Sequence, residues 1–221
     1  VLGNQVNLEN GYGVYLNSVI ATTNTRGLLA NNFITVNGSS IAHGIFLEGS
    51  DYHDVFYNSV NITSTTNSNS RALYVNTSDH ISLVNNIFHH AGTRYAYYLD
   101  NALIDVSDYN NLYSSGTMLA YVDGVSYSSL ADLQNATGND QHSLSVIPDF
   151  VSDTDLHIST DSLDGQATAL SLVQLDIDGD ARNPVSPDIG ADEFDPPVNQ
   201  APLVSNPIPD IEIPEDNGRY E

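Results

Sequence analysis

The sequence predicts an all-β fold, a parallel β-helix, and three observations carry that prediction. Four near-repeats, Ala30-Asn31-Asn32-Phe33, Tyr57-Asn58-Ser59-Val60, Val84-Asn85-Asn86-Ile87 and Tyr109-Asn110-Asn111-Leu112, advance by 27, 27 and 25 residues. A second element keeps pace with them: Gly13-Val14-Tyr15-Leu16, Gly44-Ile45-Phe46-Leu47, Ala72-Leu73-Tyr74-Val75 and Ala96-Tyr97-Tyr98-Leu99 advance by 31, 28 and 24. Within these elements the side chains alternate with period 2, as in Phe56, Asn58, Val60, Ile62, whereas helical repeats would need apolar spacing near 3.6. A repeat of this length cannot bury its apolar face alone, so it stacks on its neighbours.

Residues 1–125 read as the coils. Stacked strands lie about 4.8 Å apart, so an inward Asn at a bend can donate its amide to the equivalent Asn of the next coil. Such a ladder satisfies polar groups whose burial would otherwise cost a few kcal/mol each. Asn also tolerates the left-handed backbone of a sharp bend. Asn31, Asn58, Asn85 and Asn110 are therefore assigned a structural ladder. Residues 126–194 read as the last coils and a C-terminal cap. Here Ser129-Leu130-Ala131-Asp132 has the form of a capping box opening a short helix, Leu130 to Asn135, closed near Gly138. Residues 195–207 are a Pro-rich linker, and residues 208–221 read as the first strand of a following cadherin-like or immunoglobulin-like module.

Three segments close the repeat region: Pro148-Asp149-Phe150, Asp176-Ile177-Asp178-Gly179-Asp180-Ala181-Arg182 and Asp188-Ile189-Gly190-Ala191-Asp192-Glu193-Phe194. In this order they resemble the C-terminal end of secreted bacterial right-handed parallel β-helix repeat proteins of the pectate-lyase-like superfamily, over roughly residues 10–194. The resemblance implies a right-handed solenoid with a C-terminal cap and a bacterial, secreted or cell-surface location. It says much less about activity.

Composition narrows the function classes. The chain has no Lys; its five cations are Arg26, Arg71, Arg94, Arg182 and Arg219, set against 28 acids for a net charge of −23. Phosphate recognition needs clustered cations, so nucleic acid is excluded as a partner. No apolar run is long enough for a membrane-spanning helix. With no Cys, disulfides and thiolate metal sites are excluded.

If Val14/Leu16, Ile45/Leu47, Leu73/Val75 and Tyr97/Leu99 face inward, then Tyr15, Phe46, Tyr74 and Tyr98 form one outward column. Aromatic faces on a rigid sheet can grip sugar rings, and an exposed apolar patch marks a binding site; the same column covered by a loop or a neighbouring chain would be structural. Asp51-Tyr52-His53-Asp54 resembles the Asp-Pro-His-Asp motif of alginate epimerases, with Tyr52 in place of Pro. That resemblance makes His53 a candidate base oriented by Asp54, with Arg94 as a further catalytic candidate; a surface turn is the structural alternative. Asp176, Asp178 and Asp180 are candidate Ca²⁺ ligands, but the run lacks the Gly and Glu positions of an EF-hand loop. Pairing of Asp176 or Asp178 with Arg182 is the structural alternative.

The sequence thus favours a non-catalytic segment of a large secreted or cell-surface protein, adhesive, structural or glycan-binding. It needs no cofactor, with Ca²⁺ as the cation its acids would admit. Its expected partner is a polysaccharide or cell-surface glycan, or further copies of itself. The alternatives are the end of a polysaccharide lyase, epimerase or glycoside hydrolase, and a subunit of a self-assembling extracellular fibre, because an open strand end can accept another chain.

Overall fold

The computed structural model describes residues 1–65, 69–158 and 161–194. The linker and module expected at 195–207 and 208–221 lie outside them. Among the described residues thirteen strands follow in order: β1 (Gln5–Leu8), β2 (Gly11–Asn17), β3 (Gly27–Ala30), β4 (Phe33–Val36), β5 (Ala42–Glu48), β6 (His53–Phe56) and β7 (Ser59–Ile62) come first. Then come β8 (Arg71–Val84), β9 (Ile87–His90), β10 (Tyr97–Asp108), β11 (Asn111–Ser114), β12 (Ala120–Val122) and β13 (Val125–Tyr127), with one helix, α1 (Leu130–Thr137).

The strands wind into a parallel β-solenoid of about four turns. One side is the five-stranded sheet β1-β4-β7-β9-β11. A second side runs from β2 through β5 and the first halves of β8 and β10 to β12, closed by antiparallel β13. The third joins β3, β6 and the second halves of β8 and β10. Left-handed residues turn the corners: Ser18, Gly49, Thr77 and Asn101 between the second and third sides, and Asn31, Tyr57, Asn85 and Tyr109 between the third and first.

The expected alternation holds. Val14, Ile45, Leu73 and Tyr97 stack in register inside, as do Leu16, Leu47, Val75 and Leu99. Across the interior Val6, Ile34, Val60, Phe88 and Leu112 stack likewise. Helix α1 closes the upper end. Ser129 caps it by accepting from the Asp132 amide, Gly138 ends it in left-handed geometry, and Leu130 and Leu133 pack on the core.

The ladder is real but shifted in two coils. It runs Asn4, Asn32, Asn58, Asn86 and Asn110, each side-chain amide donating to the next carbonyl Oδ1 at 2.8, 2.7, 2.9 and 3.0 Å. Each Oδ1 also accepts the backbone N–H of the Asn one coil below. Asn58 and Asn110 stand in it as expected. Asn31 and Asn85 do not: they hold the left-handed corner position one residue earlier, with φ of 53° and 63°, and point outward. The ladder ends on Asp140, whose buried carboxylate accepts from Asn110 at 3.1 Å and from the hydroxyls of Ser107 and Ser143. A carboxylate accepts and cannot donate, so it is a natural terminator for a one-way chain of donors.

Leu144 adds one parallel bridge to Asn111, and from there to residue 194 the chain leaves the stack. This segment lies along the outside of the stack, over the first side and the adjoining corner. The chain descends from Asn111, which bonds Val146, past His89 against Phe150, to Asn61 and Thr35, which both donate to the Asp153 carbonyl. It then crosses the corner, where Asn85 and Tyr57 donate to the Thr168 carbonyl and Asn31 to that of Leu175. Gly190 passes so close that an added Cβ would stand 2.6 Å from Ile87 and 2.9 Å from the Ser59 hydroxyl, and its φ of 109° disfavours any side chain. A second apolar cluster forms between this lateral segment and the coils, from Phe56, Tyr57, Val84 and Ile87 on one side and Leu163, Val173 and Ile189 on the other.

Candidate functional site

The outward aromatic column lies on the second side of the solenoid, where strand register stacks its members. Tyr15 and Phe46 are 4.9 Å apart with their planes at 13°, and Phe46 and Tyr74 are 4.4 Å apart at 10°. At Tyr98 the column turns, meeting Tyr74 edge-on at 79°. It then continues to Tyr121, 4.1 Å away and nearly parallel. Sequence reasoning missed this fifth ring, because β12 is too short to show the repeat.

It also missed a parallel ribbon: Tyr12, His43, Arg71 and Tyr95. Each stands three residues before a column member, and that spacing was visible in the sequence. Tyr12 stacks on His43 at 5.5 Å, and the Arg71 guanidinium lies 4.5 Å from the Tyr98 ring centre and 5.2 Å from that of Tyr95. Burial, with the Arg71 charge beside it, lowers His43 to about 4, so its ring is neutral. Burial and Tyr121 raise the Tyr98 phenol to about 12.

This geometry changes what the column can offer. In the parallel steps the ring faces are spent on each other, and Phe46 is only 6% exposed. What reaches solvent is ring edges and phenol hydroxyls, with Tyr12 and Tyr15 the most open at 39% and 40%. A polar row runs alongside, Asn17, Glu48, Asn76 and Asp100 in register. The Tyr15 hydroxyl donates to Glu48, and Asn17 donates to the Tyr15 oxygen at 2.7 Å. At the upper end a shallow cleft is lined by Tyr121, Asp79, Asp100 and Asp123.

The three catalytic candidates are not brought together. His53 is 3% exposed; its Nε2 bonds the Val19 carbonyl at 2.9 Å, and its ring fills the space over Gly27, where a Cβ would sit 2.1 Å from Nδ1. Asp54 is held by Arg26 at 2.6 Å. Arg26 also bonds Asp105, the carbonyls of His53 and His80, and the Ser82 hydroxyl. Arg94 stands on the turn between β9 and β10, whereas His53 and Asp54 lie on β6. A base that faces no solvent and a carboxylate committed to an ion pair do not form the expected catalytic group.

The acidic run is divided as well. Asp176 is used up as a backbone cap: one oxygen accepts from the amides of Asp178 and Asp180, the other from Glu193. Asp178 turns to His157 at 2.7 Å. Arg182 pairs with Glu193 at 3.3 Å instead of Asp176 or Asp178, lies 3.8 Å over the Tyr57 ring, and donates to Asn31 and to the carbonyls of Gly190 and Ala191.

No family model, curated protein or solved structure matches this chain, so the functional reading rests on its own residues.

Proposed function

We propose that this chain is a non-catalytic segment of a secreted or cell-surface protein that holds a neutral polysaccharide along the second side of its solenoid. The observation that carries the reading is the double ribbon of Tyr12, Tyr15, Phe46, Tyr74, Tyr95, Tyr98 and Tyr121, with the polar row beside it. Mutual stacking makes the rings a rigid wall. Their edges and hydroxyls, alternating with Asn17, Glu48, Asn76 and Asp100, suit a hydroxyl-rich ligand that is read by hydrogen bonds as much as by apolar contact. The acids of that row and the net charge of −23 disfavour a polyanionic glycan. The resemblance to secreted bacterial β-helix repeat proteins supports the location.

A second reading is favoured by the cleft at the end of the ribbon, which Asp79, Asp100 and Asp123 line beside Tyr121. Carboxylates flanking a sugar site are the equipment of glycoside hydrolysis. One experiment weighs both: titrate the chain with a panel of neutral polysaccharides and assay each mixture for new reducing ends. The binding reading expects saturable binding without products. Tyr121→Ala should weaken that binding roughly three- to tenfold, while Tyr113→Ala, on another side, leaves it unchanged. New reducing ends abolished by Asp123→Asn would favour the hydrolase, and no binding by any neutral polysaccharide would overturn both.

A further inference from the structure

His157 and its carboxylate neighbours belong neither to the ladder nor to the aromatic ribbon nor to the apolar core. They come from three strips of the lateral segment. The His157 ring stands between two acids: its Nδ1 meets Asp155, and its Nε2 lies 2.7 Å from Asp178 Oδ2. Asp192, from the last strip, completes the group, and one donor atom each of His157, Asp178 and Asp192 lie within 4.8 Å of one another. We propose that these three side chains bind a divalent transition metal of the zinc type.

The donor chemistry selects the class of ion. One imidazole nitrogen with two carboxylate oxygens is a borderline set that suits Zn²⁺, whereas Ca²⁺ and Mg²⁺ take oxygen-only shells. Neutral imidazole with two carboxylates also balances a double positive charge. Asp155 supplies the outer support that metal-bound histidines characteristically have: a carboxylate on Nδ1 fixes the ring and leaves Nε2 to the metal.

Asp192 provides an independent indication. It is 6% exposed; Oδ2 accepts from the Ile158 amide at 3.2 Å, but no hydrogen bond reaches Oδ1 among the described residues. Oδ1 is therefore open to a cation without the loss of a protein hydrogen bond.

The geometry needs only a small adjustment. Around a tetrahedral zinc with bonds near 2.1 Å, neighbouring donors stand about 3.4 Å apart. The contact between His157 and Asp178 must therefore open from 2.7 Å, while the distance to Asp192 closes. Asp178 is the side chain free to move, at 47% exposed, whereas His157 rests edge-on against Phe33 at 4.9 Å and Asp192 is tied to Ile158. Three protein ligands leave a fourth position for water. The metal would clamp strip 155–158 to strips 176–182 and 188–194, which are already joined to each other through Asp176 and Arg182.

The test is calorimetric titration of the chelator-treated full chain with ZnCl₂ and, separately, CaCl₂, with melting temperatures read in parallel. The expected result is one Zn²⁺ per chain at micromolar affinity or tighter, a raised melting temperature, and no comparable effect of Ca²⁺. Asp192→Asn should weaken zinc at least tenfold, and Asp180→Asn should not. Should Asp192→Asn fail to fold, Asp178→Asn at its exposed position carries the same expectation. Absence of stoichiometric zinc binding overturns the proposal. So does full-strength binding in a folded Asp192→Asn or Asp178→Asn chain, which would place the ion at other surface histidines such as His80 or His142.

Discussion

Coils and lateral segment use the same residue types under different rules. In the coils an asparagine finds its partner 24 to 28 residues away, in the equivalent Asn of the next turn. Contacts of the coils with the lateral segment follow no such step: Asn85 meets Thr168, Asn31 meets Leu175 and Arg182 meets Asn31, at separations of 83, 144 and 151 residues. The histidines differ too. Burial lowers His43 and His90 in the coils to about 4, so they are neutral. Burial would also lower His157, yet its hydrogen bonds to Asp155 and Asp178 hold it up at about 9. The ladder repeats one neutral solution to the burial of polar groups from coil to coil, whereas His157 is held by charged contacts that occur once.

The comparison breaks most visibly at the ladder. Asn86→Leu removes the acceptor for the Asn58 side chain and backbone, and the donors to Asn110 and to the carbonyls of Val55 and Val84. Each buried partner left alone costs about 1–3 kcal/mol, so the variant should lose at least about 3 kcal/mol in urea unfolding. A midpoint within error of the parent chain would show that the ladder contributes nothing net. In the lateral segment the corresponding disruption is Arg182→Met, which leaves Asn31, Glu193 and two carbonyls without their cation. Losing one partner of a buried charged network costs about 3 kcal/mol. Here the loss should be local: amides of 163–191 should exchange faster while those of β5 and β7 stay protected. Uniform loss of protection would mean that coils and lateral segment unfold as one unit.

How much was legible follows from the same contrast. Period and alternation placed the inward pairs from Val14/Leu16 to Tyr97/Leu99 and the outward rings Tyr15, Phe46, Tyr74 and Tyr98, because stacking in register turns sequence spacing into position. The ladder slipped by one residue at Asn31 and Asn85 because two asparagines adjoin there, one for the left-handed corner and one for the ladder. Tyr57 and Tyr109, which take the corner position before Asn58 and Asn110, held the clue to the register. The path of 144–194 was not legible, since contacts such as Ala191 with Ser59, 132 residues apart, leave no periodic trace. The candidate catalytic group failed for the same reason: nothing in Asp51-Tyr52-His53-Asp54 announces that Arg26, a coil earlier, occupies Asp54.

Acid and alkali should separate the two regions in the metal-free chain. His43 and His90 have folded values below the usual 6.5, so the stability they contribute is present above 6.5 and is lost as pH falls towards about 4, where the unfolded chain takes up protons first. The folded value of His157 is raised, so its contribution is full below 6.5 and is lost as pH rises through about 9. Amides of β5 and β9 should therefore lose protection towards pH 4, and those of 150–158 and 176–182 towards pH 9, after correction for intrinsic exchange. Loss in the opposite order would contradict the neutral and charged assignments.

The smallest effect sharpens the distinction between the two neighbouring asparagines. Asn85 differs from Asn86 by one position, yet its side chain serves the lateral segment alone, donating to the Thr168 carbonyl at 2.8 Å and accepting from the Thr168 amide at 3.1 Å. Asn85→Gly keeps the left-handed corner, which glycine adopts without strain, and removes only those two bonds. Its backbone carbonyl still accepts from Gly190 at 2.9 Å. The expected cost is about 1 kcal/mol, well below that of Asn86→Leu, with faster exchange near Thr168 and none in the ladder coils. Asn85→Val would add the strain of a β-branched side chain at φ of 63°. Its excess over the glycine variant then measures the corner itself, separately from the contact. Equal losses from Asn85→Gly and Asn86→Leu would mean that corner and ladder are one cooperative element and that the lateral segment is as much a part of the coil as the ladder.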